Sequence, residues 1–155
     1  MRYWGFALAA LVLVLDQLTK LWALDALANP PVRIAFLPFW DFVLVWNRGV
    51  SFGLFGGGAV PPLVLVAVTG AIALGVTVWL ACARSWWTAV AAALVLGGAI
   101  GNIIDRLLYG AVVDFIDWHA YGYHWPVFNI ADAAITLGIV VLIAESLFGG
   151  RTEPK

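Results

Sequence analysis

The sequence predicts an all-α membrane protein with four transmembrane helices and a small strand-rich layer between the first two. Of its 155 residues, 64% are hydrophobic and 11% are charged, whereas ordinary soluble domains carry about 25% charged residues. The mean hydropathy is +0.99. Four segments also reach the length of about 20 mostly apolar residues that a membrane-spanning helix needs. Since no polar linker or internal repeat divides the sequence, we expect a single membrane-embedded domain over residues 1–155.

A very short connection joins two of the four predicted spans. Their predicted bounds are Tyr3 to Leu24, Val60 to Ala83, Trp87 to Leu108 and Val127 to Phe148. The helix of the second span is expected to begin after Pro61 and Pro62, which suit the first turn of a helix, and to end at Arg84 and Ser85. The second and third spans are therefore predicted to form an antiparallel hairpin.

The first span has an alternative interpretation as a cleavable signal peptide. Arg2, the apolar run from Gly5 to Leu15 and the small residues at 26–28 are typical of such a segment. However, the polar sequence DQLTK at residues 16–20 lies inside the hydrophobic stretch, where a signal peptide has no use for it. These polar groups favour a retained transmembrane helix.

The segment from Arg33 to Gly58 differs from the spans on either side of it. It mixes aromatic and β-branched residues with Pro38, and it ends in a run of glycines. This composition favours short strands and turns over a helix. We therefore expect a small strand layer at the membrane surface.

The charges exclude one class of partner but do not orient the chain. The net charge is −1 and the eight basic residues are scattered singly, so nucleic acid binding is excluded. The basic residues predicted on one side of the membrane are Arg2, Arg84, Arg151 and Lys155. Those on or near the other side are Lys20, Arg33, Arg48 and Arg106. This balance leaves the orientation open, although four spans place both termini on the same side.

Polar residues cluster where the third predicted span ends and the fourth begins. Asn102, Asp105 and Arg106 are spaced to lie on one helix face, and Asn129 and Asp132 repeat this spacing. Because the two spans run antiparallel, the two polar faces can meet at one membrane surface. Charges within a span are costly and usually face a cavity or a partner. An ion pair between Asp105 and Arg106 that closes the helix end is an alternative explanation.

Asp114 and Asp132 differ from the other acids because each has apolar neighbours and no basic neighbour in the sequence. Two carboxylates that share a low-dielectric site cannot both ionise readily, so the pair holds one proton near neutral pH. Such a pair can activate water against a peptide carbonyl and protonate the leaving amine. Ion binding or helix packing is the alternative role for these acids. Asp117, nearer the predicted surface, is expected to be solvated.

Other catalytic chemistries find less support in the sequence. It contains no HExxH zinc motif and no GxSxG serine motif. His119 and His124 lie in a segment rich in tryptophan and tyrosine, which favours an interfacial role over metal binding. Cys82 lies in an apolar run and is expected to be a small core residue. We therefore expect neither a metal nor an organic cofactor.

Four polar motifs together resemble a known family. They are DQLTK at 16–20, NRGVSFGLF at 47–55, GGAIGNIIDRLLYGAVVDFIDW at 97–118 and FNIADAAITLG at 128–138. In these motifs, and in their order and spacing, the chain resembles the bacterial lipoprotein signal peptidases, also called signal peptidase II, which are membrane aspartic proteases. One such motif is weak evidence, but four in sequence along most of the chain are highly specific.

The resemblance implies roles for individual residues. Asp114 and Asp132 match the catalytic aspartates of the family. The positions that match its supporting or substrate-binding residues are Asp16, Lys20, Asn47, Gly49, Asn102, Asp105, Arg106, Asn129 and Ala131. Asp105 is left with either a structural or a direct chemical role.

The resemblance also implies a substrate and a location. The family removes the signal peptide from prolipoproteins that carry diacylglyceryl on a cysteine, cutting just before that cysteine. The chain is then expected in the bacterial inner membrane, with cytoplasmic termini and an extracytoplasmic active site and strand layer. We expect a monomer whose partners are prolipoproteins and membrane lipid.

Two other functions fit the same charges. In a small transporter or proton conductor, Asp105, Asp114 and Asp132 would relay ions along a path within the membrane. A noncatalytic scaffold for lipidated proteins would bind the same substrates and tolerate the loss of both catalytic acids. Ion flux in liposomes and cleavage by aspartate variants separate these functions from a peptidase.

Overall fold

The structure is a computed structural model that describes residues 2–49 and 60–148. Within these residues four helices are long and apolar enough to cross a membrane. They are α1 (Arg2–Leu27), α2 (Pro62–Ala81), α3 (Trp86–Tyr109) and α4 (Ile130–Phe148). The four helices predicted from hydropathy are therefore confirmed. α2 and α3 are joined by residues 82–85, as the short predicted connection requires.

α3 is the central helix of the bundle and packs against each of the other three. Two glycines on it allow the close approach of neighbouring backbones. A Cβ atom at Gly97 would lie 2.6 Å from the carbonyl oxygen of Ala9 in α1, and one at Gly98 would lie 2.5 Å from that of Ala131 in α4. Any larger residue at either position would push a helix away, because real Cβ atoms do not approach a carbonyl so closely.

A four-stranded antiparallel sheet lies against one end of the bundle. Its strands, in spatial order, are β1 (Ile34–Leu37), β2 (Trp40–Asn47), β3 (Val112–Ala120) and β4 (Tyr123–His124). β1 and β2 confirm the strand layer expected between the first two helices, whereas residues 50–58 of that layer lie outside the described residues. β3 and β4 connect α3 to α4 and were not predicted. Residues 112–117 of β3 are all buried, so they lack the alternation that identifies a strand in sequence.

The pairing of β2 with β3 contains an irregularity that matters for the site. Asp41 pairs with Asp117 and Phe42 with Ile116, but beyond Phe42 the register shifts by one, so that Val45 pairs with Asp114. One extra residue of β2 is accommodated between these pairs, which is a β-bulge. The two parts of β2 on either side of the bulge are therefore held in separate registers.

The end of α1 packs beneath the sheet. Ala23 and Leu27 of α1 form a buried cluster with Phe115 and Ile116 of β3. This cluster fixes β3 relative to the helices on its apolar side. Asp114, the residue before Phe115, is consequently held at the junction of the sheet and the bundle.

Two residues lie in surroundings other than those expected. Cys82 is exposed, because α2 ends at Ala81 and Cys82 begins the turn that follows. Asp117 is buried instead of solvated, because β3 carries it under the guanidinium of Arg33.

Candidate active site

The start of α4 fixes Asp132. The backbone N–H of Asp132 donates to the side-chain oxygen of Asn129 at 2.9 Å, and the backbone N–H of Asn129 donates to Asp132 Oδ2 at 3.4 Å. This reciprocal pair is a capping box, which satisfies N–H groups that the first turn of a helix leaves free. A carboxylate in the first turn is also favoured by the helix dipole.

Asp114 is held by two asparagine amides. Asn47 Nδ2 donates to Asp114 Oδ2 at 2.9 Å, and Asn129 Nδ2 donates to Asp114 Oδ1 at 2.6 Å. The backbone N–H of Gly49 donates to Asn47 Oδ1 at 2.9 Å, which orients the amide so that its nitrogen faces Asp114. Gly49 has φ +86°, a conformation that favours glycine.

Asn129 and Asn102 join the two aspartates into one site. Asn129 binds Asp114 through its side chain and caps the turn that carries Asp132. Asn102 Nδ2 donates to Asp132 Oδ1 at 2.8 Å, and Asn129 Nδ2 lies 3.3 Å from Asn102 Oδ1. In the part of the chain that the structure describes, neither aspartate forms an ion pair. The structure thus brings together Asp114 and Asp132, which are remote in the sequence, through neutral hydrogen-bond donors.

A second acidic cluster beside this site shares the single ammonium of Lys20. Its ammonium lies 2.8 Å from Asp16 and 2.9 Å from Asp105, and donates to Asn102 Oδ1 at 3.0 Å. Asp105 also accepts from the backbone N–H of Val113 at 3.0 Å. The alternative ion pair of Asp105 with Arg106 is not found among the described residues, where Asp105 pairs with Lys20 of α1.

The cluster around Lys20 connects three helices to the sheet. Asp16 of α1 accepts from the backbone N–H of Ala131 in α4 at 2.9 Å. A Cβ at Gly101 would collide with Asp16, so glycine is needed on α3 at this crossing. Sequence reasoning did not single out Gln17, which donates to both Asp16 and Asp105 at 3.2 and 3.1 Å. The only indication of this role in the sequence is the position of Gln17 within the DQLTK motif.

Arg106 lies close to the site without closing an ion pair there. Its Nη1 donates to the carbonyl oxygen of Asn102 at 3.4 Å, and its charge interacts with Asp114, Asp132 and Asp105. Arg106 Nε is buried and has no hydrogen-bond partner among the described residues. The guanidinium therefore supplies a positive field and retains donor capacity at the site.

The surroundings of Asp114 adapt it to proton transfer. Burial raises the pKa of Asp114 to about 7, and the negative charge of Asp132 acts in the same direction. Hydrogen bonds from Asn47 and Asn129 oppose this rise but do not cancel it. An aspartate with such a pKa exchanges its proton near neutral pH, as an acid–base catalyst requires.

Asp132 also borders a groove that is open to the apolar side of the bundle. The groove has a volume of about 420 Å³. It is lined by Trp118, Trp125, Phe128, Asp132, Ala133, Thr136, Leu137 and Val140. Within residues 2–49 and 60–148, no three His, Cys, Asp or Glu side chains are arranged to hold a metal ion. The site therefore offers two carboxylates beside an apolar groove.

Comparisons with known proteins agree on one family. The family described as Signal peptidase (SPase) II matches residues 8–148. A lipoprotein signal peptidase of Methylorubrum extorquens is 50% identical over 147 residues, which cover 92% of this chain and 83% of the relative. One of Methylobacterium radiotolerans is 48% identical over 147 residues, covering 92% and 85%.

A solved structure shares the fold. It is a bacterial membrane enzyme determined by the in meso method at 1.9 Å resolution, with a TM-score of 0.79 and 30% sequence identity. The match covers 96% of this chain and 94% of the solved chain.

Proposed function

The chain belongs to the signal peptidase II family, and we propose that it cleaves prolipoproteins with water activated between Asp114 and Asp132. Its family and its four apolar helices make it a multi-pass peptidase of the bacterial inner membrane. The observation that carries the catalytic assignment is the connection of buried Asp114 to partly buried Asp132 through neutral asparagine amides. Among the described residues, neither carboxylate forms an ion pair.

The proposed chemistry uses one proton on the pair. Asp114, with its pKa near 7, holds the proton, and ionised Asp132 accepts a proton from the attacking water. The hydroxide oxygen bonds to the scissile carbonyl carbon, and the carbonyl electrons move to oxygen. Asp114 then protonates the leaving nitrogen as the C–N bond breaks. Arg106 stabilises the negative charge that develops on the carbonyl oxygen.

The proposed substrate is the diacylglyceryl-modified prolipoprotein, cut just before its lipidated cysteine. An acyl chain attached to that cysteine stays in the bilayer, so the scissile bond must be reached from the membrane side. The apolar groove beside Asp132 supports such lateral access. We further propose cytoplasmic termini, an active site at the extracytoplasmic face and a monomeric enzyme.

Cleavage by the purified protein tests the assignment. The enzyme is incubated with a diacylglyceryl-modified prolipoprotein, and the wild type is compared with Asp114→Asn and Asp132→Asn. Each variant is expected to lose at least about a thousandfold in kcat, because an amide cannot exchange the proton. Asp25→Asn is the matched control, since Asp25 is an exposed aspartate of α1, and it should cleave like the wild type.

The same purified protein distinguishes a peptidase from a transporter and from a scaffold. Normal cleavage by both dyad variants would refute the catalytic pair. Proton flux in liposomes, lost in these variants and unaccompanied by cleavage, would indicate a transporter. Substrate binding that survives both substitutions, again without cleavage by the wild type, would indicate a scaffold.

A further inference from the structure

A group of ionisable side chains outside the proposed catalytic pair links β2, β3 and β4 to Arg33, the residue before β1. Arg33, just before β1, donates through Nε to Asp41 of β2 at 2.6 Å and through Nη2 to Asp117 of β3. His124 of β4 lies 2.9 Å from Asp117, and His119 of β3 lies 3.3 Å from Asp41. These five residues are called the Arg33 cluster.

Two carboxylates of this cluster lie directly opposite one another. Asp41 and Asp117 are paired across β2 and β3, and they are 7% and 3% exposed. Like charges at opposed positions on neighbouring strands are destabilising, and the effect is larger when both are buried. Burial alone would raise the pKa of Asp41, but the hydrogen bond from Arg33 and the nearby His119 ring outweigh it and hold the pKa below its usual range. Arg33 thus keeps an opposed, charged pair together.

The opposed pair lies next to the bulge that separates it from the active site. On one side of the bulge Asp41 pairs with Asp117, and on the other side Asn47 pairs with Val112 and binds Asp114. A shift of one residue along a strand moves a side chain by about 3.3 Å and turns it to the other face. Because the bulge already holds one extra residue, it can absorb such a shift if the outer pair separates. The Asn47 amide would then leave Asp114.

We propose that Arg33 is a positioning residue for peptide cleavage, which holds β2 against β3 so that Asn47 stays bonded to Asp114. The guanidinium is suited to this role because its planar fork can bind two carboxylates at once and stays charged at any relevant pH. Its side chain is 49% exposed and contacts neither Asp114 nor Asp132, so it acts through the sheet. This inference rests on the proposed function.

The test compares cleavage by Arg33→Gln with that by the wild type and by Arg84→Gln, an exposed arginine at the opposite end of the bundle. We expect kcat to fall about tenfold in Arg33→Gln, with little change in KM, because misplaced catalytic groups slow the chemical step more than binding. Arg33→Lys keeps the positive charge but not the planar fork, so its kcat should lie between those of the wild type and Arg33→Gln. Equal kcat values for Arg33→Gln and Arg84→Gln would overturn the inference.

The pH profile distinguishes positioning from a loss of folded protein. The Asn47 hydrogen bond lowers the pKa of Asp114, so loosening it should move the alkaline limb of kcat to higher pH. The other charges near Asp114, which belong to Asp132, Lys20 and Arg106, are unchanged in this variant. Partial unfolding would reduce the amplitude without moving the limb, and that result would contradict positioning.

A compensating variant keeps the test decisive if Arg33→Gln folds poorly. Adding Asp41→Asn removes one of the opposed charges, so the double variant should recover folding and return to within about threefold of the wild-type kcat. No recovery would overturn the proposed repulsion. If the folded wild type does not cleave, the proposed function is refuted. That result differs from a failure of the inference about Arg33, which requires an active wild type.

Discussion

Asp114 and Asp117 lie three residues apart on the same strand and differ in what surrounds them. Both are buried, with 1% and 3% of the residue exposed. Asp117 is bound by the guanidinium of Arg33 and by His124, whereas the side-chain partners of Asp114 among the described residues are the amides of Asn47 and Asn129. Burial is common to both, so the kind of partner is what separates them. Asp117 lies against the guanidinium of Arg33. Asp114 has neutral amide donors, and burial together with the charge of Asp132 raises its pKa to about 7.

The same difference between acids with a cationic partner and acids with an amide partner is found between the helices. Asp16 and Asp105 share the ammonium of Lys20, while Asp132 accepts from Asn102. Asn102 contacts both groups, because its oxygen accepts from Lys20 and its nitrogen donates to Asp132. The cation is thus connected to the proposed catalytic acid through two successive hydrogen bonds of Asn102. Asn102 is the link between the ionic cluster and the proposed catalytic pair.

The largest expected effect is the contrast between Asp114→Asn and Asp117→Asn. Both changes replace a buried carboxylate on β3 with an amide of the same shape. Asp114→Asn should lose at least about a thousandfold in kcat, and Asp117→Asn less than about tenfold, because only the first removes an exchangeable proton from the pair. Steady-state cleavage measures both. Similar losses in the two variants would show that cation pairing does not separate their roles.

A second prediction concerns the cation that serves Asp16 and Asp105. Lys20→Met keeps much of the side-chain volume but leaves two buried carboxylates without a counter-ion. We expect a loss of about 3 to 5 kcal/mol in the free energy of unfolding, as for other broken buried pairs. Thermal unfolding in detergent, compared with the exposed Arg84→Gln, measures the loss. A change as small as that of the control would mean that the acids are protonated in the wild type.

The sequence alone was sufficient to predict the four helices and to single out two of the acids. Hydropathy is a local property, so the four helices follow from it directly. Asp114 and Asp132 were selected because apolar residues surround them and no basic residue is near in the sequence. In the described structure the two acids lie in one hydrogen-bonded network, and neither forms an ion pair there. Their catalytic role stays a prediction.

The same criterion failed where a cation comes from a distant element. Asp117 has neighbours much like those of Asp114, but Arg33 reaches it from 84 residues away. Asp105 was weighed as a partner of adjacent Arg106, whereas Lys20 lies on another helix. Spacing along the chain reports which residues share a helix face, and it does not report contacts made by packing. The strand β3 was missed for a related reason, since burial of both its faces depends on elements far away in sequence.

The smallest expected effect is a gain in stability when Asp114 loses its charge. Because the folded protein raises the pKa of Asp114 from 3.8 to about 7, the folded state binds a proton more tightly than the unfolded state. The contribution of Asp114 to stability should therefore decline as the pH rises from about 4 to about 7, the range between the two pKa values. Asp114→Asn has no such proton, so its Tm relative to the wild type should rise across this range and level off above it. Asp25→Asn, the same substitution at an exposed position, is the control for this comparison. A Tm difference for Asp114→Asn that is constant with pH would mean that the charge of Asp114 is already compensated in the folded protein, which would place it with Asp117.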